Sequence, residues 1–182
     1  MRSDYGKLLR REFEQELLAA LPQFTRSNET QIPPGCRLYE WLMSKELTAY
    51  LLLVPSDSEH FTIEVGWTRG GPFPFALFMP EVIQQGSFRC RLSRMWNPPS
   101  EYWWKVTSQR TVKDMTLEEI GRFDMDFLNP PPKMTDADRE VLRAAVDDAI
   151  QKIQQYAIPY FEQVAQEYGE GPPAQTSTGE QQ

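Results

Sequence analysis

An α+β fold, with an antiparallel sheet of about five strands flanked by an N-terminal helix and a C-terminal helix, is what the sequence predicts, because strands come first in succession and a helix closes the chain. Three patterns carry that prediction. In Glu59 to Thr68, EHFTIEVGWT, the residues Phe61, Ile63, Val65 and Trp67 alternate with Thr62, Glu64, Gly66 and Thr68, the period of a half-buried strand. In Ser87 to Met95, SFRCRLSRM, Phe88, Cys90 and Leu92 share one face and Arg89, Arg91 and Ser93 the other. Towards both ends the apolar residues return at helical spacing. Together these predict a sheet with one dry face, covered by helices.

The first helix spans about Asp4 to Leu21, with Tyr5, Leu8, Leu9, Phe13, Leu17, Leu18 and Leu21 on its apolar stripe and charges on its other face; Pro22 stops it. Arg26 to Gly35 is polar and ends in Pro33-Pro34-Gly35, a loop that launches a strand over Cys36 to Met43. Leu47 to Val54 is nearly all apolar, as suits a central strand covered on both faces. A turn at Pro55-Ser56-Asp57-Ser58 leads into the alternating strand, so these strands form an antiparallel meander. In Arg69 to Gly86 the residues Gly70, Gly71, Pro72, Pro74 and Pro80 argue against a continuous strand, leaving an unusually oily loop. Trp96 to Tyr102 is a second irregular stretch, and the fifth strand runs from Trp103 to Ser108.

Asn129-Pro130-Pro131-Pro132 reads as a stiff extended spacer. Thr135 then caps a helix with Asp136 and Asp138 in its first turn, where carboxylates favour the positive end of the helix dipole. Its buried stripe is Leu142, Val146, Ala149, Ile150, Ile153 and Ala157. Pro159 breaks or kinks it, and a fresh turn of helix turns Tyr160, Phe161 and Val164 inward. Residues 1–168 thus make a single globular domain, and Gly169 to Gln182, rich in Pro, Gly, Gln, Ser and Thr, a disordered tail.

Of the formal charge of −7, none comes from Met1 to Ser100, where 11 basic residues balance 11 acidic ones; Glu101 to Gln182 has 8 against 15. That acidic half repels phosphate backbones, and only a few arginines stand where duplex nucleic acid would need a basic stripe. Cys36 and Cys90 both fall in predicted strands, which suits apolar packing better than a disulfide or a metal site. The opening MRSDYGKLLRREFEQELL lacks the apolar core of a signal peptide, and the longest apolar run, Ala49 to Val54, is too short to span a bilayer. A soluble protein of the reducing cytoplasm, with no membrane partner, is expected.

His60 is the only histidine, so a Ser-His-Asp triad or a two-histidine metal site has little to build on, and its place beside a turn suits a surface residue. Asp124 and Asp126, with Glu118 and Glu119 upstream, would hold a divalent cation if they converged, but their alternation with Phe123, Met125 and Phe127 fits an amphipathic extended segment. Glu64, Arg89 and Arg91 share the strand face opposite Phe61, as a patch for an anionic group or as a cross-strand ion pair. Gly70-Gly71-Pro72 has neither the spacing nor the lysine of a phosphate loop. No catalytic residue, metal or cofactor is expected. The better lead is aromatic: Phe73, Phe75 and Phe78 in one loop and Trp96 in the other supply either a second small core or a docking surface for a partner.

The strand Phe61 to Gly66, the arginine strand with Arg89 and Arg91 that leads to Trp103-Trp104, and the closing Ile158-Pro159-Tyr160-Phe161-Glu162 resemble a family of small bacterial proteins known only as domain of unknown function forty-three-zero-four. The resemblance covers nearly all of the chain except its tail, and the Pro-rich insertions after Trp67 and Trp96 depart from it. It implies an antiparallel sheet flanked by helices and carries no active-site residues.

The leading expectation is a non-enzymatic protein-binding module of bacterial type, an immunity or accessory protein whose acidic second half faces a basic partner protein. An alternative is a hydrolase or transferase using Glu64, Arg89, Arg91, Asp124 and Asp126 in a pocket under the aromatic loops. A third reading is a small-ligand binder with Trp67, Trp103 and Trp104 lining a cavity.

Overall fold

An antiparallel sheet with helices against one face organises the chain in the computed structural model, which describes residues 3–30, 32–56, 59–70, 87–96, 98, 101–108, 116 and 134–168. In chain order the elements are α1 (Ser3–Ala20), β1 (Thr25–Arg26), β2 (Arg37–Leu42), β3 (Leu47–Pro55), β4 (His60–Arg69), β5 (Ser87–Arg91), a 3-10 turn (Leu92–Met95), β6 (Trp104–Lys105), α2 (Asp136–Lys152), a π-helical turn (Ile153–Ala157) and α3 (Ile158–Tyr168). The sheet runs β1-β2-β3-β4-β5, every pair antiparallel, and β6 also pairs β4. β4 shares one edge between two partners, β6 at His60 and Phe61 and β5 from Glu64 to Thr68.

The Pro33-Pro34-Gly35-Cys36 sequence makes the turn into β2: the Cys36 amide donates to the Pro33 carbonyl at 3.1 Å, and Gly35 takes φ +86°. Proline in the second place and a glycine at positive φ in the third are what a type II turn requires. From there the registers Tyr39↔Leu51 and Leu51↔Val65 bring the apolar residues of three strands onto the helix side. There Tyr5, Leu9, Phe13 and Leu17 of α1 and Leu142, Val146 and Ile150 of α2 close over Leu51, Leu53, Phe61, Ile63 and Val65 in one core. Each such side chain contributes about 1.5–3 kcal/mol on burial. Trp67 sits apart, in a smaller cluster with Leu47 and Val164.

Four expectations need correction. The sheet has two covered faces, not one: Leu38, Tyr50 and Leu52 form a separate buried cluster with Cys36 on the far side, and Thr62 and Thr68 beside them are buried as well. β5 ends at Arg91, where the chain winds into the 3-10 turn that buries Leu92 and Ser93. Arg26, assigned to a loop, pairs with Tyr39 in the two-residue β1, which is too short to show any alternation. The fifth strand, expected over Trp103 to Ser108, is the two-residue β6, Trp104–Lys105. At Pro159 the expected break is present as the π-helical turn Ile153–Ala157, which precedes the proline and passes directly into a fresh α-helix, α3. A proline removes one amide donor and crowds the carbonyl four residues back, and a widened turn accommodates both.

The expected spacer at Asn129 to Pro132 and tail at Gly169 to Gln182 lie outside the described residues. Among the described residues, no helix is long and apolar enough to cross a membrane.

Candidate functional site

β6 and the 3-10 turn gather four aromatic rings at the β4 edge of the sheet. Trp104 is fixed first: its register with Phe61 stacks the two rings at 5.3 Å, and its indole N–H donates to Asp148 of α2 at 2.8 Å. Trp96 packs against Trp104 at 6.1 Å and against Tyr156 of the π-helical turn at 5.5 Å, so this expected contact residue is half-buried in the fold. Tyr102 stands edge-on to Trp104 at 5.1 Å and close to Trp96 at 6.3 Å, yet it remains 48% exposed. Its backbone is held because its carbonyl accepts from the Thr62 hydroxyl at 3.2 Å. The Arg91 guanidinium lies 5.0 Å from the centroid of the Trp103 ring and forms an ion pair with Glu101.

This cluster can present a rigid aromatic surface flanked by charge. Two-torsion aromatic side chains lose little entropy on contact, and those already held by neighbours lose less. The loop aromatics Phe73, Phe75 and Phe78 lie outside the described residues, as do Asp124 and Asp126.

On the opposite face, Arg89 donates from Nε to Glu64 at 2.7 Å and from Nη2 to the same carboxylate oxygen, both side chains mostly buried. Glu64 and Arg91 are register partners, but Arg91 turns to Glu101 and Trp103. Glu64, Arg89 and Arg91 are therefore neighbours on the sheet whose charges are engaged within the chain. Cys36 lies next to this pair as a free thiol; burial, reinforced by Glu64, pushes it up to about 11, the state of a packing residue and not of a nucleophile. Cys90 is also a free thiol and half-buried against the main core.

His60 is not a surface histidine: it is buried at the start of β4, opposite Lys105. Trp67 donates from its indole N–H to the Tyr160 hydroxyl at 3.1 Å and stacks on Tyr168, while Trp104 faces the main core, so these two tryptophans belong to separate buried clusters. Among the described residues, no three His, Cys, Asp or Glu side chains converge to hold a metal ion.

Two features went unread in the sequence. Asp138, the third residue of α2, is buried; one oxygen accepts from the Ser108 amide and hydroxyl and the Thr107 hydroxyl at 2.8–2.9 Å, the other from the Thr135 amide and hydroxyl. Burial alone would raise its carboxyl, but the Thr135 and Ser108 bonds, with one from Tyr5, hold it far below the usual carboxylate range. The signal was the capping-box spacing of Thr135 and Asp138, which Asp138 satisfies as the acid. The second feature is a basic cleft of about 500 Å³ between α1 and the β1–β2 edge, lined by Lys7, Arg10, Arg11, Arg26 and Arg37 with Glu14. Its signal was the spacing of Lys7, Arg10, Arg11 and Glu14 along one flank of the helix.

The chain matches no protein-family model, no curated protein and no solved structure.

Proposed function

We propose that this chain is a non-enzymatic protein-binding module of bacterial type, acting in the reducing cytoplasm in the manner of an immunity or accessory protein. The observation that carries the reading is Tyr102, half exposed on a bed of packed aromatic rings with Arg91 and Trp103 beside it. Tyr, Trp and Arg dominate the energetics of protein interfaces, and anchors that are already ordered bind with the smallest entropic loss. Of the residues that an enzymatic reading would use, Glu64 is engaged with Arg89, and Arg91 with Glu101 and Trp103, while Asp124 and Asp126 lie outside the described residues. The acid-rich second half of the sequence favours a basic partner. The bacterial setting rests on the family resemblance, and two free cysteines fit a reducing compartment.

Immobilised wild-type protein and a Tyr102→Ala variant of equal melting temperature, exposed to the same host extract, test this reading. The variant is expected to retain about tenfold less of the specific partner, the scale of one interface anchor. Equal retention by both proteins would remove the aromatic surface from the proposal, and a turnover found in the purified protein would overturn the non-enzymatic reading.

A further inference from the structure

At the opposite edge of the sheet from the aromatic cluster, and independently of it, we infer that the cleft between α1 and the β1–β2 edge binds a small ligand carrying linked phosphate groups. Five cationic side chains, Lys7, Arg10, Arg11, Arg26 and Arg37, line it against the single carboxylate of Glu14. This excess of positive charge stands in a chain whose formal charge is −7.

Arg10 and Arg37 meet no carboxylate among the described residues. Arg10 donates to the Gly35 carbonyl at 3.3 Å and Arg37 to the Cys36 carbonyl at 3.0 Å, so neutral backbone oxygens orient both guanidinium groups while leaving their charges uncompensated. They also repel each other: burial first, and then Arg37, lower the Arg10 guanidinium from its ordinary value. The remaining countercharge is thin. Glu14 reaches Arg26 only at 3.8 Å, and Arg11 is drawn to Glu12 at 2.7 Å. Beneath the cleft the Tyr39 hydroxyl is buried without a hydrogen-bond partner among the described residues, close enough to Glu14, Arg26, Arg37 and Arg10 to be influenced by all of them.

Guanidinium forks bond bidentately to carboxylate and phosphate alike, so geometry alone does not choose between these ligands. Charge density does. A monocarboxylate would leave most of the excess in place, whereas linked phosphates bring several negative charges into the span of two or three helical turns. The groove between α1 and α2 holds Glu12, Glu16 and Asp147 beside Arg11 and Arg143, so a polyanion extended in that direction would run onto carboxylates. A short oligophosphate matches the five cations gathered in the cleft itself.

Titration calorimetry of the full chain at low salt with inorganic tripolyphosphate, orthophosphate and citrate tests the inference. Tripolyphosphate is expected to bind about tenfold or more tightly than either of the others, because it alone joins high charge to phosphate geometry. An Arg10→Gln, Arg37→Gln double variant is expected to weaken tripolyphosphate by about tenfold or more, while Lys45→Gln with Arg69→Gln, the same charge loss at another corner, changes it by less than about threefold. Without ligand the cleft variant is expected to melt no lower than wild type, since a like-charge contact has been removed. Absence of tripolyphosphate binding, equal weakening in the two double variants, or citrate binding as tightly as tripolyphosphate would overturn the inference. If the cleft variant fails to fold, the single variants Arg10→Gln and Arg37→Gln are titrated in its place under the same criteria.

Discussion

Asp138 links three parts of the chain through one carboxylate: the start of α2, the segment after β6, and α1 through Tyr5. A buried charge satisfied by this many donors is stable in place, but removing it strands all of them at once. Asp138→Asn is expected to destabilise the fold by about 3 kcal/mol or more near neutral pH, read as a shift in the urea midpoint. The folded-state carboxyl lies below its ordinary value of 3.8, so its contribution is complete above that pH and fades as the pH falls below it. The gap between wild type and Asp138→Asn should therefore narrow in acid; a gap that widens below pH 3.8 would contradict the network. Tyr39 is the opposite case, a buried hydroxyl without a partner among the described residues. Tyr39→Phe is expected to be neutral or stabilising by up to about 1 kcal/mol, because it removes an unpaired polar group and leaves the ring against Phe13. A loss of melting temperature in that variant would reveal a partner for the hydroxyl.

Among the elements, α3 is held at its end by one residue. Tyr168 stacks on Trp67 at 5.2 Å, and Trp67 is in turn bonded to Tyr160, about two helical turns earlier. Truncation after Tyr168 is expected to leave the melting temperature within about 2 °C of the full chain, whereas truncation after Glu167 is expected to cost about 1 kcal/mol, the worth of one aromatic stack. Equal melting of the two truncated proteins would show that the stack contributes nothing. The helices were legible from sequence because a helix writes its buried face as a local period: Leu9, Phe13 and Leu17, or Leu142, Val146 and Ile150, need no distant partner to be read. What stayed illegible depends on residues far apart. Thr62 and Thr68 look like the wet face of β4, but a Tyr102 carbonyl and a Tyr50 hydroxyl 40 and 18 positions away receive or meet their side chains, and that is what lets them be buried. The basic cleft was hidden for the same reason, since Arg10 and Arg37 become neighbours only when α1 crosses the edge of the sheet.

For the whole molecule, the two covered faces of the sheet decide how stability is distributed. A sheet with one dry face tolerates charge at every second position of a central strand, because those side chains stand in water. Here Leu51 faces the helix-side core, and Leu52, one residue on, is 1% exposed in the separate cluster with Leu38, Tyr50 and Cys36. The middle of β3, Ala49 to Leu53, is therefore closed to charge on both parities. Val65→Asp on the helix side and Leu52→Asp on the other are each expected to abolish cooperative folding or to remove several kcal/mol, a large part of a typical stability of about 5–15 kcal/mol. Thr48→Asp, a half-buried change of the same parity as Leu52 near the start of β3, is the control and is expected to cost much less. Urea unfolding of the three variants measures the difference. A Leu52→Asp protein as stable as Thr48→Asp would mean that the second face is open to water in solution, whereas equal losses at Leu52 and Val65 would show that the sheet is the middle layer of the fold and that neither of its faces is free to serve as a broad flat docking surface. In that arrangement the two proposed binding sites are both at edges of the sheet, Tyr102 at one and the arginine cleft at the other.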